Sequence, residues 1–271
     1  MWFPRGEMIV PVRIALLTLV IVAIAILGLW LAQRRLIYLP TGAPGDPPEG
    51  WQQVTTTTSD GLELAGWFHP GTPNTPIVIV FHGNAGNRGD RVVLGSRLVD
   101  AGMGVAMFDY RGYGGNAGSP SEEGLANDAQ AMVAWVEAHQ ANRDILYFGE
   151  SLGAAVAVGV SVEHPPHALV LRSPFRSLAS VAAVHYPVLP VGLLLWDRYP
   201  VADQIELVEA STTVIAGSAD GIVPTDQSLD VFEAARLPAE WVLINGADHN
   251  DAALSHGAQV IAAVERAVQQ R

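Results

Sequence analysis

Residues 144–153 read Asp-Ile-Leu-Tyr-Phe-Gly-Glu-Ser-Leu-Gly, an apolar run that leads straight into Gly149-Glu150-Ser151-Leu152-Gly153. No other stretch narrows the choice of fold as far. A G-x-S-x-G placed after a strand and before a helix is the sequence form of a nucleophile elbow, in which the serine takes a strained backbone and stands at the tip of a sheet. The glycines on either side answer the close packing of the following helix, which leaves no room for a Cβ. Residues 145–148 have the apolar, aromatic character of a strand, and 152–158 form a small-residue helix suited to packing on it. The competing reading is an ordinary glycine-rich turn of an α/β protein.

The surroundings predict such a protein. Segments 54–58 and 62–68, separated by Ser59-Asp60-Gly61, read as a β-hairpin. Residues 76–81 are a continuous apolar run, the pattern of a strand covered on both faces. Further strands are expected at 105–109, 168–172, 213–216 and 241–244. Helices are expected at 89–101, 121–139 (with Ser121 as cap and Glu122 and Glu123 in the first turn), 227–236 and 257–270. Strands alternating with helices imply a mostly parallel sheet with helices on both faces. Residues 39–50 are rich in Pro and Gly and read as a linker.

Ahead of that linker, residues 14–31 contain no charge and only Thr18 as a polar side chain. Eighteen helical residues span about 27 Å, close to the hydrocarbon thickness of a bilayer. Arg13 bounds one end, Arg34 and Arg35 the other, and Trp2, Phe3, Trp30 and Tyr38 fall where an interfacial aromatic belt would lie. The run exceeds a signal-peptide core and ends without a small-x-small cleavage site, so residues 1–35 read as an uncleaved single-pass anchor. Arg5 and Arg13 balance Arg34 and Arg35. The free α-amine tips the count toward a cytoplasmic N-terminus and a main domain, 36–271, on the other side. Residues 1–35 hold four Arg and one Glu, which leaves −15 on the remainder of a chain whose net charge is −12. So acidic a domain is no nucleic-acid binder. The absence of cysteine excludes disulfides, thiolate metal sites and cysteine nucleophiles.

A serine nucleophile needs a base to take its proton and an acid to orient that base. Asp220, in Gly217-Ser218-Ala219-Asp220-Gly221, and His249, in Gly246-Ala247-Asp248-His249-Asn250, follow Ser151 in that order and each lies just past an expected strand. The carboxyl edge of a parallel sheet is where ligands bind. Asp248 is too near His249 in sequence to serve as its partner. His256 reads as opening a helix, His185 as part of an apolar segment, and His82 as part of a loop. An oxyanion hole needs two N–H donors. The candidates are Leu152, next to the serine, and Asn84, in the glycine-rich loop 82–87. No Lys-Ser or Lys-Thr follows those glycines, so the loop does not read as a phosphate cradle. The set calls for no metal and no cofactor. Because the base must be neutral, activity is expected to fall as acid protonates His249.

At these residues the chain resembles the α/β-hydrolase superfamily, and most closely the membrane-anchored branch with the Bem46-like proteins and the ABHD12, ABHD13 and ABHD17 groups. The resemblance runs over about 36–271. It rests on Phe81-His82-Gly83-Asn84-Ala85-Gly86-Asn87, Asp109-Tyr110-Arg111-Gly112-Tyr113-Gly114, Gly118-Ser119-Pro120-Ser121-Glu122-Glu123-Gly124, the elbow, Arg172-Ser173-Pro174-Phe175-Arg176-Ser177, the Asp220 turn and His249-Asn250-Asp251. It implies a serine hydrolase of acyl esters, thioesters or lipids. Where that branch carries Ser two residues after Tyr113-Gly114, this chain has Asn116, which leaves the contacts of that loop open. Arg111 and Tyr113 read as braces of the loop. The superfamily carries a cap after its sixth strand, here about 177–200. Residues 181–199 are unusually apolar, with Tyr186, Leu194 and Trp196 as candidate substrate contacts. The segment either lines an acyl pocket and touches the bilayer or packs on the core as an ordinary cap helix. A serine peptidase, a cofactor-free haloperoxidase or acyltransferase, and a silent tethered scaffold remain alternatives, the last opposed by the complete set of three residues.

Overall fold

The computed structural model describes residues 9–269. Trp2, Phe3, Arg5 and Gln270, which figure in the expectations above, lie outside the described residues. Eight strands form one sheet: β1 (Gln52–Thr57), β2 (Glu63–His69), β3 (Ile77–Phe81), β4 (Gly104–Phe108), β5 (Ile145–Glu150), β6 (Ala168–Arg172), β7 (Ser211–Gly217) and β8 (Pro238–Ile244). Their order across the sheet is β8-β7-β6-β5-β3-β4-β2-β1. β2 is antiparallel to both its neighbours, and every other pairing is parallel. The central strands β3, β4 and β6 are buried at every position, the burial that continuous apolar runs such as Ile77-Val78-Ile79-Val80-Phe81 require.

Helices cover both faces. A 3₁₀ turn (Arg88–Arg91) leads into α2 (Val92–Asp100), where the sequence pattern reads as one helix. Asn87 caps the turn, its Oδ1 accepting the Gly89 N–H at 2.8 Å, and Arg91, at φ −105° and ψ 4°, leaves helical geometry before α2 begins. Helix α3 (Glu122–His139) is capped by Ser121, whose hydroxyl accepts the Gly124 N–H at 3.0 Å. Helix α4 (Leu152–Ser161) follows the elbow. α8 (Thr225–Ala234) and α10 (Ala258–Gln269) flank the later strands. α10 buries Val260, Ala263, Val264 and Ala267, a three-and-four spacing that lays one face on the core beside Val170 and Ile215.

Some features differ from the sequence reading or add to it. Leu39 and Pro40, read as linker, pair in parallel with Ala85 and Gly86. The Leu39 N–H donates to the Asn84 carbonyl at 2.8 Å. Two short helices, α7 (Val201–Ile205) and α9 (Ala252–His256), have no periodic signature. His256 therefore closes a helix rather than opening one, because Gly257 separates α9 from α10. The apolar cap segment forms α5 (Leu178–His185) and α6 (Val191–Leu194), neither of which buries any residue. Leu178, Val181 and Leu194 are half-buried, whereas Val188 and Leu193 face outward.

Helix α1 (Ile9–Ile37) lies in the first of two compact units, and the second begins at Tyr38. Within α1, Arg13–Ile37 has a mean hydropathy of 2.9 over its most apolar 18-residue window, none of which is buried. It is long and apolar enough to cross a membrane.

Candidate active site

Order in the sheet decides where a site can form. The chain leaves β3 for β4 on one side and returns to β5 on the other, so the loops after β3 and β5 part at their carboxyl ends and open a crevice. Ser151 follows β5 and the loop 82–87 follows β3.

Ser151 sits at φ +53° and ψ −115°. Such a conformation costs an L-residue about 1–3 kcal/mol and persists only where neighbours enforce it. Here the Ser151 N–H donates to the Arg172 carbonyl at 2.8 Å, and the Ala154 N–H donates to the Ser151 carbonyl at 2.9 Å. A Cβ on Gly149 would stand 2.6 Å from Ala154 Cα, and one on Gly153 would stand 2.0 Å from the Phe81 carbonyl oxygen. The first glycine admits the helix. The second admits the end of β3, a neighbour that the motif itself does not reveal.

His249 Nδ1 lies 2.7 Å from Asp220 Oδ2. An Nδ1–H given to a carboxylate leaves Nε2 as the lone-pair nitrogen. Asp220 is held by three other donors: the Ser173 hydroxyl at 2.9 Å and the N–H groups of Ile222 at 3.0 Å and Val223 at 2.8 Å. Burial pushes the Asp220 carboxyl up, but the His249 ring, with the Val223 N–H and the Ser173 hydroxyl, holds it below the usual carboxylate range. Asp248 braces the turns instead, its Oδ1 accepting the Gly221 N–H at 2.8 Å and the His249 N–H at 2.7 Å. Among the described residues the Ser151 hydroxyl makes no hydrogen bond to His249. Such bonds are often long in a free enzyme and tighten with substrate.

Leu152 is the first residue of α4, so its N–H has no partner within the helix. The Asn84 carbonyl, on the far side of that residue from its N–H, accepts the Leu39 N–H and the Tyr113 hydroxyl, each at 2.8 Å, which ties down the loop after β3. The Gly83 N–H is already committed to Glu150 Oε1 at 2.8 Å. Arg111 braces the neighbouring loop through Asp128 and Asp60. Asn116 carries the loop contacts left open by the sequence, accepting the Ala65 N–H at 3.0 Å and donating to the Asp109 carbonyl at 2.7 Å. His82 is buried between the rings of Tyr110 and Tyr113. His185 Nε2 lies 2.9 Å from the Ile222 carbonyl.

In the cap, Tyr186 and Trp196 are exposed, Leu194 is half-buried, and Val188 and Leu193 are 90% and 84% exposed. Three residues near the site escaped sequence reasoning: Ser173, which steadies Asp220, and Glu150 and Arg172, which end the otherwise apolar strands β5 and β6. A charge closing an apolar strand was the available signal.

This sheet order, the elbow after β5, and acid and histidine after β7 and β8 define an α/β-hydrolase. Known proteins agree. Residues 72–204 match the family described as serine aminopeptidase, S33. An uncharacterized protein of Mycobacterium tuberculosis is 48% identical over 251 residues, 89% of either chain. Lysophosphatidylserine lipase ABHD12 of Gallus gallus is 39% identical over 127 residues, 44% of this chain and 33% of that protein. Among solved structures, the esterase Pf2001 of Pyrococcus furiosus superposes with a TM-score of 0.71 at 19% identity, covering 86% of this chain and 97% of that one. The chain belongs to the α/β-hydrolases, in their ABHD-like branch.

Proposed function

We propose that this protein is a membrane-tethered serine hydrolase that cleaves carboxylic esters or thioesters of lipids and other acyl compounds. Ser151 Oγ attacks the acyl carbonyl carbon while His249 Nε2 takes its proton. Asp220 holds the imidazole in the required tautomer and stabilises its protonated form. The N–H groups of Leu152 and Asn84 receive the developing oxyanion. His249 returns the proton to the leaving alkoxide or thiolate. A water molecule, deprotonated by the same imidazole, then cleaves the acyl-enzyme and frees Ser151 and the acid. The observation that carries this reading is the 2.7 Å pairing of His249 with Asp220 at the same sheet edge as a serine held at φ +53°.

The lipid class is supported by the exposed apolar cap (Tyr186, Val188, Leu193 and Trp196). It is also supported by the partial likeness to a protein named as a lysophosphatidylserine lipase. Residues 14–31, inside α1, form the anchor, and 36–271 form the hydrolase domain with its cap at about 177–200. The domain lies on the non-cytoplasmic side, a placement that protease digestion of sealed vesicles of known sidedness tests. A serine peptidase is the second reading, favoured by the description of the matching family.

The deciding experiment is labelling of detergent-solubilised protein with a fluorophosphonate probe beside Ser151→Ala and His249→Ala, followed by parallel ester and peptide-amide substrates. Labelling is expected in the wild type and lost in Ser151→Ala, with ester turnover far above amide turnover. Absence of labelling in folded wild-type protein overturns the hydrolase reading, and faster amide turnover replaces it with the peptidase.

A further inference from the structure

Glu150 and Arg172 end neighbouring strands at paired register positions, and each is only 4% exposed. Burying two opposite charges is costly, and apolar residues of similar volume are often as stabilising. The arrangement even leaves Arg172 Nε buried without a hydrogen-bond partner among the described residues. What the pair touches accounts for it better than stability does.

Glu150 Oε1 accepts the Gly83 N–H of the loop after β3 at 2.8 Å and Arg91 Nε at 2.7 Å. Glu150 Oε2 faces Arg172 Nη2 at 3.4 Å. Arg172 Nη1 donates to the His249 carbonyl at 2.7 Å, and the Arg172 carbonyl receives the Ser151 N–H at 2.8 Å. The loops that carry Asn84, Ser151 and His249 are therefore joined through two side chains at the sheet edge. The Asp220 bond sets the imidazole about its own side-chain torsions. The Arg172 bond sets the backbone from which that side chain springs, in a loop otherwise exposed at Gly246, Asp248 and Asn250.

We propose that Arg172, locked in place by Glu150, is a positioning residue that sets His249 against Ser151 by holding the backbone of both. The inference rests on the reading of Ser151 and His249 as nucleophile and base. Arg172 touches no reacting atom. It contributes alignment, and a misplacement of about 1 Å costs on the order of 10²-fold in rate.

A cavity of about 190 Å³ beside this bridge, lined by Arg91, Glu150, Arg172, Asn250, Ser255 and His256, provides the test. Full-length protein is titrated with a fluorophosphonate to count competent sites, and hydrolysis of a short soluble ester is then expressed per titrated site. A wild type that does not label fails the hydrolase reading itself, before the positioning role is reached. With wild-type labelling in hand, Arg172→Ala is expected to lower kcat per titrated site on the order of 10²-fold with KM nearly unchanged. Added methylguanidinium, entering the cavity, is expected to restore part of that loss. A role in folding alone would lower the number of titratable sites and leave kcat per site intact, and that result overturns the proposal. Should Arg172→Ala not fold, Arg172→Lys keeps the charge but lacks the fork that spans Glu150 and the His249 carbonyl. A wild-type kcat per site in that variant overturns the proposal equally, and a fall of on the order of tenfold supports it.

Discussion

Helix α4 carries a matched pair of glycines that separates two reasons for using the residue. At Gly153 an added Cβ would lie 2.0 Å from the Phe81 carbonyl oxygen and 2.5 Å from that of His82. Ordinary contact requires more than 1 Å of additional separation. Backbone faces the new atom on both counts, so no side chain can swing aside, and the start of α4 must move off the end of β3. Overpacking of that kind costs about 1–3 kcal/mol. In a domain of this size each kcal/mol lowers the melting temperature by roughly 2–4 °C. Gly153→Ala is therefore expected to melt up to roughly 12 °C lower. Because Ser151 and Leu152 ride on the displaced turn, kcat should fall on the order of 10²-fold. Gly159 lies on the same helix, where an added Cβ would meet only Gln204 Oε1 at 3.8 Å. Gly159→Ala should instead gain about 0.5–1 kcal/mol from the lower backbone entropy of alanine, with turnover unchanged. Differential scanning calorimetry and ester hydrolysis on both variants read out the contrast. Wild-type melting and kcat in Gly153→Ala would refute the steric account of the elbow.

Other expectations concern the acid and the cap. If Asp220 orients the proposed base, Asp220→Asn should leave the fold intact and lower kcat on the order of 10⁴-fold, as the same change does in a Ser-His-Asp triad. The folded-state carboxyl of Asp220 is depressed, so the stability it contributes is present above the ordinary carboxylate range and is lost as pH falls through its folded value. Acid unfolding of Asp220→Asn should accordingly show a shallower loss of stability below about pH 4 than the wild type, and parallel curves would contradict the assignment. Replacing Leu194 and Trp196 with Glu should cut hydrolysis of long-chain esters and spare short ones, and equal loss on both would sink the acyl-contact role.

Much of the scaffold is a local property and could be read residue by residue. Apolar runs such as 77–81 and 168–172 have no option but to be buried on both faces, and alternation with amphipathic segments such as 258–269 selects a parallel sheet. Ser121 announces the start of α3, and the glycines at 149 and 153 announce a turn with no space beside it. The apolar stretch within α1 is legible for the same reason, since length and hydropathy depend on no distant partner. What the sequence could not show are the pairings between loops far apart in the chain. Adjacency to His249 already sets Asp248 aside, but the bonds that hold Asp220 on the imidazole and turn Asp248 toward the Gly221 N–H exist only in the packed sheet. Arg172 meets the His249 carbonyl across 77 residues and Gly83 meets Glu150 across 67, distances over which no periodicity or spacing carries information. Leu39, in a stretch rich in Pro and Gly, gains its strand pairing only because Ala85 arrives beside it. Sequence sets the elements because their causes lie within one or two turns of chain. The site's alignment is decided by tertiary structure because its hydrogen bonds join loops that only the order of strands brings together.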